Sequence, residues 1–233
     1  MTSSPVPMAT TVLDSILFRD AFGTPRMREI FSDYGLISKY VQVEVALARA
    51  EARCGVIPAD AAQEIAARAN ADALDFDLMR HETEIVGYPI LPLVHQLARM
   101  CGEAGRYVHW GATTQDIMDT AAVLQVRDAL QVVESELADL RRILAGLAQR
   151  YRDTPMAGRT HLQQALPITF GYKVAVWLAM FDRHQERLVQ ARPRVLVGQF
   201  AGAAGTLASL GERGPDVQKA LMEELGLGVP MAP

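Results

Sequence analysis

Residues His109–Thr120, with the sequence HWGATTQDIMDT, decide the fold because a long helix pattern begins directly after them. The apolar residues that follow recur every three or four positions: Val126, Leu130, Val133, Leu137, Leu140, Leu144 and Leu147. This spacing is the heptad stripe of a helix that packs against other helices. Asp119 and Thr120 are predicted N-caps, and no proline interrupts the pattern before Pro155. The stretch therefore predicts a bundle helix over residues 120–150, roughly 45 Å long at about 1.5 Å per residue.

The beginning of this helix is also a candidate carboxylate-binding site. The first N–H groups of a helix have no partner within it and carry partial positive charge, so an anion can bind there. Thr113, Thr114 and Gln115 add hydroxyl and amide groups at the same end. A bundle helix with an ordinary cap has the same residue types, so the pattern leaves a binding site and a plain cap both open.

A second segment, GRTHLQQALPITFG at residues 158–171, places a histidine among polar side chains. His161 follows Arg159 and Thr160, and Gln163 comes two residues later. Pro167 is predicted in the first turn of a largely apolar helix, so His161 is expected near the mouth of a buried helix. A histidine titrates near neutral pH, which suits general acid–base catalysis, although a lone histidine is more often structural.

The distribution of apolar residues indicates an all-α fold. Alternating runs are few, and no β-branched or aromatic clusters lie between turn residues. The predicted helices cover residues 27–54, 59–69, 76–85, 90–104, 120–150, 167–192 and 214–226. A boundary near residue 110 is expected to separate a small N-terminal helical domain, residues 1–110, from the first part of a long central helical bundle, residues 111–233.

Composition excludes several classes of partner. The net charge of −4, with both signs interspersed, argues against nucleic acid. The longest apolar run, Val174–Phe181, is far shorter than the ~20 residues of a membrane span. Residues 1–12 lack the pattern of a secretory signal, so a cytoplasmic location is expected. No metal-binding His-x-x-x-His or Cys-x-x-Cys and no phosphate-binding loop occurs, so neither a metal nor a cofactor is predicted.

Several stretches together resemble the fumarase/aspartase superfamily of lyases, over nearly the whole chain. Besides the two segments above they are TPRM at residues 24–27, VEVALA at residues 43–48 and the glycine-rich GQFAGAAGT at residues 198–206. The likeness is greatest to the branch that contains 3-carboxy-cis,cis-muconate cycloisomerase and adenylosuccinate lyase. The order of the matched stretches, more than any single one, makes the resemblance specific.

The resemblance implies a cofactor-independent β-elimination or its reverse addition on a di- or tricarboxylate. A base removes the proton next to a carboxylate, hydrogen-bond donors hold the resulting anion, and a general acid protonates the leaving group. The resemblance makes His161 the catalytic residue. It assigns substrate contacts to Arg19, Tyr88, His109, Thr113, Thr114, Gln115, Arg159, Thr160 and Gln163. It also implies a homo-oligomer, a tetramer at full length, whose sites combine segments of several subunits.

The chain departs from the family pattern in two places. The mobile serine loop that is expected to supply the base does not occur in the 233 residues, and family members are much longer. We therefore expect this chain to be an N-terminal half that lacks its base. Tyr88 and Pro89 stand where adenylosuccinate lyases carry a His-Asp pair, which favours the muconate-type reaction.

Two alternatives to a muconate cycloisomerase stay open. One is an adenylosuccinate lyase or another fumarate-forming lyase. The other, from a different class, is a non-catalytic helical oligomerisation module, because the heptad stripe would serve that role without an active site.

Overall fold

The computed structural model describes residues 11–232, so the first ten residues, on which most of the secretory-signal prediction rests, lie outside the described residues. The chain divides into two compact units. The first unit runs to Val126 and resumes at Val197, and the second unit is Arg127–Leu196. The predicted boundary near residue 110 is a boundary between domains, not between these compact units, and it stays a prediction.

The first unit is built around one buried helix. Its helices are α1 (Arg19–Phe22), α2 (Pro25–Ile30), α3 (Asp33–Arg53), α4 (Ala59–Arg68), α5 (Phe76–Val86), α6 (Ile90–Cys101), the beginning of α7 (Thr114–Arg150) and, after the second unit, α9 (Gly214–Leu225). Helix α3 packs against α4 and α9, and its Val43 and Leu47 are fully buried. Arg49 and Arg53 of α3 pair with Glu224 and Glu223 of α9 at the rim of that interface.

The predicted helix over residues 27–54 is wrong in its continuity, because the structure divides it into α2 and α3. The side chain of Ser32 accepts a hydrogen bond from the N–H of Gly35 and caps the new helix. Gly35 also permits a close approach, since a Cβ there would lie 2.5 Å from the carbonyl oxygen of Glu29. An N-cap serine in mid-pattern therefore starts a second helix.

The second unit consists of the rest of α7, a β-hairpin and α8 (Phe170–Val195). Two ion pairs join the helices, Arg141 with Asp182 at 2.6 Å and Arg192 with Glu134 at 2.7 Å. The heptad stripe of α7 is only partly covered in this unit. Leu137 and Leu144 are each 8% exposed, whereas Val133 is 38% and Leu140 is 36% exposed.

Strands β1 (Pro155–Thr160) and β2 (Gln163–Thr169) form the antiparallel hairpin where the sequence predicted a helix from residue 167. Pro167 pairs with Ala157 in the sheet and is not the first turn of α8. The helix begins at Phe170 because the hydroxyl of Thr169 accepts from the N–H of Tyr172 at 3.1 Å.

Helices dominate the structure, so the all-α prediction is confirmed, with one small two-stranded sheet in the described residues. The predictions near 59–69, 76–85 and 214–226 agree with α4, α5 and α9, while the one at 90–104 runs past the end of α6 into a 3-10 turn. Between residues 11 and 232, no helix has the length and apolar character needed to cross a membrane.

Candidate active site

A buried aspartate organises the beginning of α7. The carboxylate of Asp116, which is 1% exposed, accepts hydrogen bonds from the backbone N–H groups of Thr113 at 2.9 Å, Ala201 at 2.8 Å and Gly202 at 3.0 Å. The first of these bonds caps α7, so the helix begins at Thr114. The predicted helix start at residue 120 is therefore wrong, and the predicted N-caps Asp119 and Thr120 lie inside the helix.

The candidate carboxylate-binding site that the sequence predicts lies at the start of α7, at Thr113, Thr114 and Gln115. Thr113 and Thr114 are half-buried and Gln115 is exposed. Two donors are already engaged, because Asp116 accepts the N–H of Thr113 and the Gln115 side-chain amide donates to Asp119 at 2.6 Å. The N–H of Asp116 donates to the carbonyl oxygen of Thr113, so the two threonine hydroxyls and the N–H groups of Thr114 and Gln115 are the donors that this end of α7 offers to an anion.

The glycine-rich segment, residues 198–206, is fixed against the same helix. The hydroxyl of Thr120 donates to the carbonyl oxygen of Gln199 at 2.7 Å and accepts from the Gln199 N–H at 2.9 Å. The amide of Gln218 donates to the carbonyl oxygen of Phe200, whose side chain is fully buried. Asp116 and Thr120 therefore hold two of the segments that resemble the family, residues 109–120 and 198–206, in one place.

His109 is held by a carboxylate from α3. Its Nδ1 lies 2.6 Å from Oε1 of Glu44, and because a carboxylate only accepts, Nδ1 is the donor. Burial lowers the pKa of His109, but the hydrogen bond and charge of Glu44, together with the charge of Asp116, outweigh burial and raise the pKa. His109 has φ of +63°, a conformation that non-glycine residues seldom adopt outside turns and functional sites.

In the second unit, the hairpin brings together Arg159, Thr160, His161 and Gln163, all of which are exposed. Thr160 pairs with Gln163 across the strands, which leaves His161 and Leu162 as a two-residue turn. Both have positive φ, +30° and +64°, as hairpin turns of this length demand. The predicted position of His161 at the mouth of a buried helix is therefore wrong, because strand pairing places it at an exposed tip.

The last two predicted contacts lie elsewhere in the first unit. Arg19 is the first residue of α1 and lines an open depression with Thr24 and Arg28. Tyr88 is half-buried in the turn between α5 and α6. The structure thus collects His109 and residues 113–115 in one unit and the hairpin residues in the other, with Arg19 and Tyr88 at separate positions.

Two positioning groups, Asp116 and Glu44, were missed by the sequence analysis. Asp116 has a sequence signal, because Thr113-Thr114-Gln115-Asp116 has the form of a capping box with an acid at its fourth position. Glu44 has a weaker one, a charged residue among the apolar neighbours of VEVALA. Its partner lies 65 residues away and could not be read from that pattern.

Comparisons with known proteins show which family this chain is similar to. A lyase family model matches residues 20–233. The chain is 46% identical to the N-acetyl-S-(2-succino)cysteine lyase of Dickeya dadantii, covering 96% of this chain and 49% of the relative. It is 48% identical to the 3-carboxy-cis,cis-muconate cycloisomerase of Pseudomonas aeruginosa, covering 93% and 48% respectively.

A solved structure is also similar to this chain, both in sequence and in fold. The crystal structure of a fumarate lyase from Mesorhizobium sp. BNC1 shares 62% identity with this chain, with a TM-score of 0.85, and the match covers 88% of this chain and 49% of that one. The chain spans about half the length of the curated relatives it matches.

Proposed function

This chain belongs to the fumarase/aspartase superfamily of lyases, and from that premise we propose that it carries part of the active site of a cofactor-independent lyase or cycloisomerase. The proposed reaction is elimination or addition at the carbon next to a carboxylate of a di- or tricarboxylate. The observation that carries the proposal is the hairpin tip. His161 stands there exposed, in a left-handed backbone, among Arg159, Thr160 and Gln163.

The proposed roles follow from how charge moves in such a reaction. Removal of the proton leaves negative charge on the carboxylate oxygens, and preorganised donors stabilise that charge. The Thr113 and Thr114 hydroxyls at the start of α7 are such donors, as are Thr160 and Gln163 on the hairpin. His161 acts as the general acid or base at the bond that breaks, which is worth roughly 10²–10⁴-fold in rate for a well-placed group.

The leading candidate reaction is the cyclisation of 3-carboxy-cis,cis-muconate. In that reaction a carboxylate oxygen adds to the conjugated double bond and a proton adds to the neighbouring carbon, so that a lactone forms. The resemblance of residues 109–120 and 161–167 and the Tyr88-Pro89 pair support this assignment, as does the 48% identity to the Pseudomonas cycloisomerase.

A second candidate is a fumarate-forming lyase. In this reaction the base takes a proton from a succinyl group, the bond from carbon to sulfur or nitrogen breaks, and the acid protonates the departing thiol or amine. The identities to the N-acetyl-S-(2-succino)cysteine lyase and to the Mesorhizobium fumarate lyase support this class of reaction, which also includes that of adenylosuccinate lyase.

We further propose that the chain assembles into a homo-oligomer, a tetramer in the whole enzyme. The support comes from the second unit, where apolar side chains of α7 and α8 are exposed. They include Val133, Leu140 and Ile143 on α7 and Val176, Trp177 and Met180 on α8. Exposed apolar side chains at heptad spacing are typical of helices that pack against partner helices.

Steady-state assays of the intact enzyme test the function. The substrates are 3-carboxy-cis,cis-muconate, N-acetyl-S-(2-succino)cysteine and adenylosuccinate, and the test variant is His161→Asn. We expect turnover of one of the first two, and a loss of kcat of about 10²–10⁴-fold in the variant. The matched control is His184→Asn, an exposed histidine of α8, with unchanged kcat. Equal kcat in wild type and His161→Asn would contradict the catalytic role, and no turnover of any of the substrates would favour the oligomerisation module.

A further inference from the structure

Helix α3 buries two carboxyl groups on the same face. Glu44 and Glu51 lie seven residues apart, about two helical turns, and are 1% and 0% exposed. Within the described residues, Oε2 of Glu44 and both oxygens of Glu51 have no hydrogen-bond partner. Buried carboxyl groups are rare unless they are paired, because removing a charge from water is costly. Their presence on the buried face of α3 calls for a role.

The two groups differ in their partners. Glu44 faces His109, and its Oε1 lies 2.6 Å from Nδ1 of that ring. Glu51 has no such cation, and burial followed by the charge of Glu44 raises its pKa to about 9. Glu51 is therefore neutral at physiological pH, and the side chain of Glu44 is the one that meets the imidazole.

The contact between Glu44 and His109 also determines which nitrogen of the imidazole ring can meet a ligand. Because Nδ1 donates to Glu44, Nε2 is the ring nitrogen that is left for a ligand. The side chain of His109 is 18% exposed while that of Glu44 is 0% exposed, so the pair has one buried and one accessible end. The left-handed backbone at His109, φ +63°, is a strained conformation of the kind that clusters at functional sites.

We propose that Glu44 is a positioning residue of the substrate site, which fixes the ring of His109 and favours its imidazolium form, in which Nε2–H donates to a substrate carboxylate. This inference rests on the proposed function. A carboxylate behind a histidine sets the ring orientation and the proton position in other active sites and in metal sites. Besides Glu44 of α3, Asp116 of α7 acts on the ring, and both charges favour the imidazolium.

An NMR titration of protein labelled with ¹³C,¹⁵N-histidine tests the pairing without any activity measurement. The other four histidines, His81, His95, His161 and His184, are exposed and serve as internal references. We expect the His109 ring to remain protonated at both nitrogens above the usual histidine pKa of about 6.5. A His109 ring that is already neutral below that pH would overturn the proposal in the wild-type protein alone.

Two isosteric variants on the same helix separate the charge of Glu44 from the mere burial of a carboxyl group. Glu44→Gln keeps an acceptor but removes the charge, and we expect it to lower the proton affinity of His109 by about tenfold or more. Glu51→Gln replaces a group that is already neutral, so the His109 titration should stay where it is. Glu44→Asp, which restores the charge, should recover part of the wild-type behaviour. Equal titration of His109 in wild type and Glu44→Gln would contradict the role of Glu44.

Kinetics on the intact enzyme test the link to substrate. We expect Glu44→Gln to raise KM for the carboxylate substrate about tenfold and to change kcat less, because a binding contact is lost. Glu51→Gln should leave both constants within about twofold. An unchanged KM in Glu44→Gln, with His109 shown to have lost its proton, would overturn the substrate contact. Absence of turnover in the wild type would instead refute the proposed function, and the NMR result would still decide the pairing.

Discussion

Replacement of Asp116 by alanine should cost the first unit a large part of its stability. The carboxylate accepts three backbone N–H groups, of Thr113, Ala201 and Gly202, and it is buried. Hydrogen bonds to a charged group contribute about 1.5–3 kcal/mol each, and the cost of burying the carboxylate offsets part of that sum. We therefore expect Asp116→Ala to lower the free energy of unfolding by about 3–4 kcal/mol.

Urea unfolding followed by circular dichroism measures this loss. With an m value of about 2 kcal/mol per molar urea, the midpoint should fall by roughly 1.5–2 M. Asp116→Asn, which keeps one acceptor oxygen, should lose about half as much. The control is Asp119→Ala on the same turn of α7, because Asp119 is exposed and binds only the Gln115 side chain, so its loss should be within about 0.5 kcal/mol.

Hydrogen exchange gives a local measurement of the same contact. In Asp116→Ala, the amides of Ala201 and Gly202 should lose protection more than amides in the centre of α3, because their acceptor is gone. If Asp116→Ala and Asp119→Ala shift the urea midpoint equally, or if the amides at 201 and 202 exchange as in the wild type, Asp116 does not hold the glycine-rich segment and our reasoning is wrong.

Three other variants test separate features. Thr114→Ala should remove a carboxylate donor and reduce kcat/KM by about 10–100-fold, or about 1–3 kcal/mol, and unchanged kcat/KM would exclude Thr114 from the substrate site. Burial and the charge of Glu44 raise the pKa of Glu51 from its usual 4.5 to about 9 in the folded protein, so the stability that its neutral form supports is complete below pH ~4.5 and is lost as pH rises towards 9. Glu51→Gln should thus stabilise the protein by on the order of 2–3 kcal/mol at pH 7 and by nothing near pH 4; parallel curves of unfolding free energy against pH for the two proteins would refute this. Leu140→Glu places a charge on the exposed half of the α7 stripe, and sedimentation at micromolar concentration should show a smaller assembly than in the wild type; a wild type that is only monomeric would contradict the proposed oligomer.

Most helices of this protein could be predicted from local sequence. Apolar periodicity and capping residues gave the positions of α4, α5 and α9 to within about two residues, and the heptad stripe gave the long α7. These signals succeed because side chains a few residues apart in sequence are also neighbours on a helix surface. The same reasoning failed at the beginning of α7, where Asp119 was preferred as the cap although Asp116 occupied the fourth position of a capping box.

The β-hairpin could not be predicted from local sequence. Nothing in the alternation of residues 155–169 distinguishes strands from the approach to a helix, and a proline at 167 suits both a first helical turn and an exposed strand. The antiparallel pairing of the two strands, with Thr160 opposite Gln163 and Pro155 opposite Thr169, decides the matter. Consequently the role of His161 stays a prediction, while its setting at the mouth of a buried helix was predicted wrongly.

The sequence by itself determined the fold class and the superfamily, because helix periodicity is a local pattern and the order of the matched stretches is a property of the chain alone. Only the tertiary structure decided how those stretches are held. Asp116 meets Ala201 across 85 residues, and Glu44 meets His109 across 65. A buried carboxylate must find its donors wherever the chain brings them, and packing of α3, α7 and the glycine-rich segment determines which donors those are.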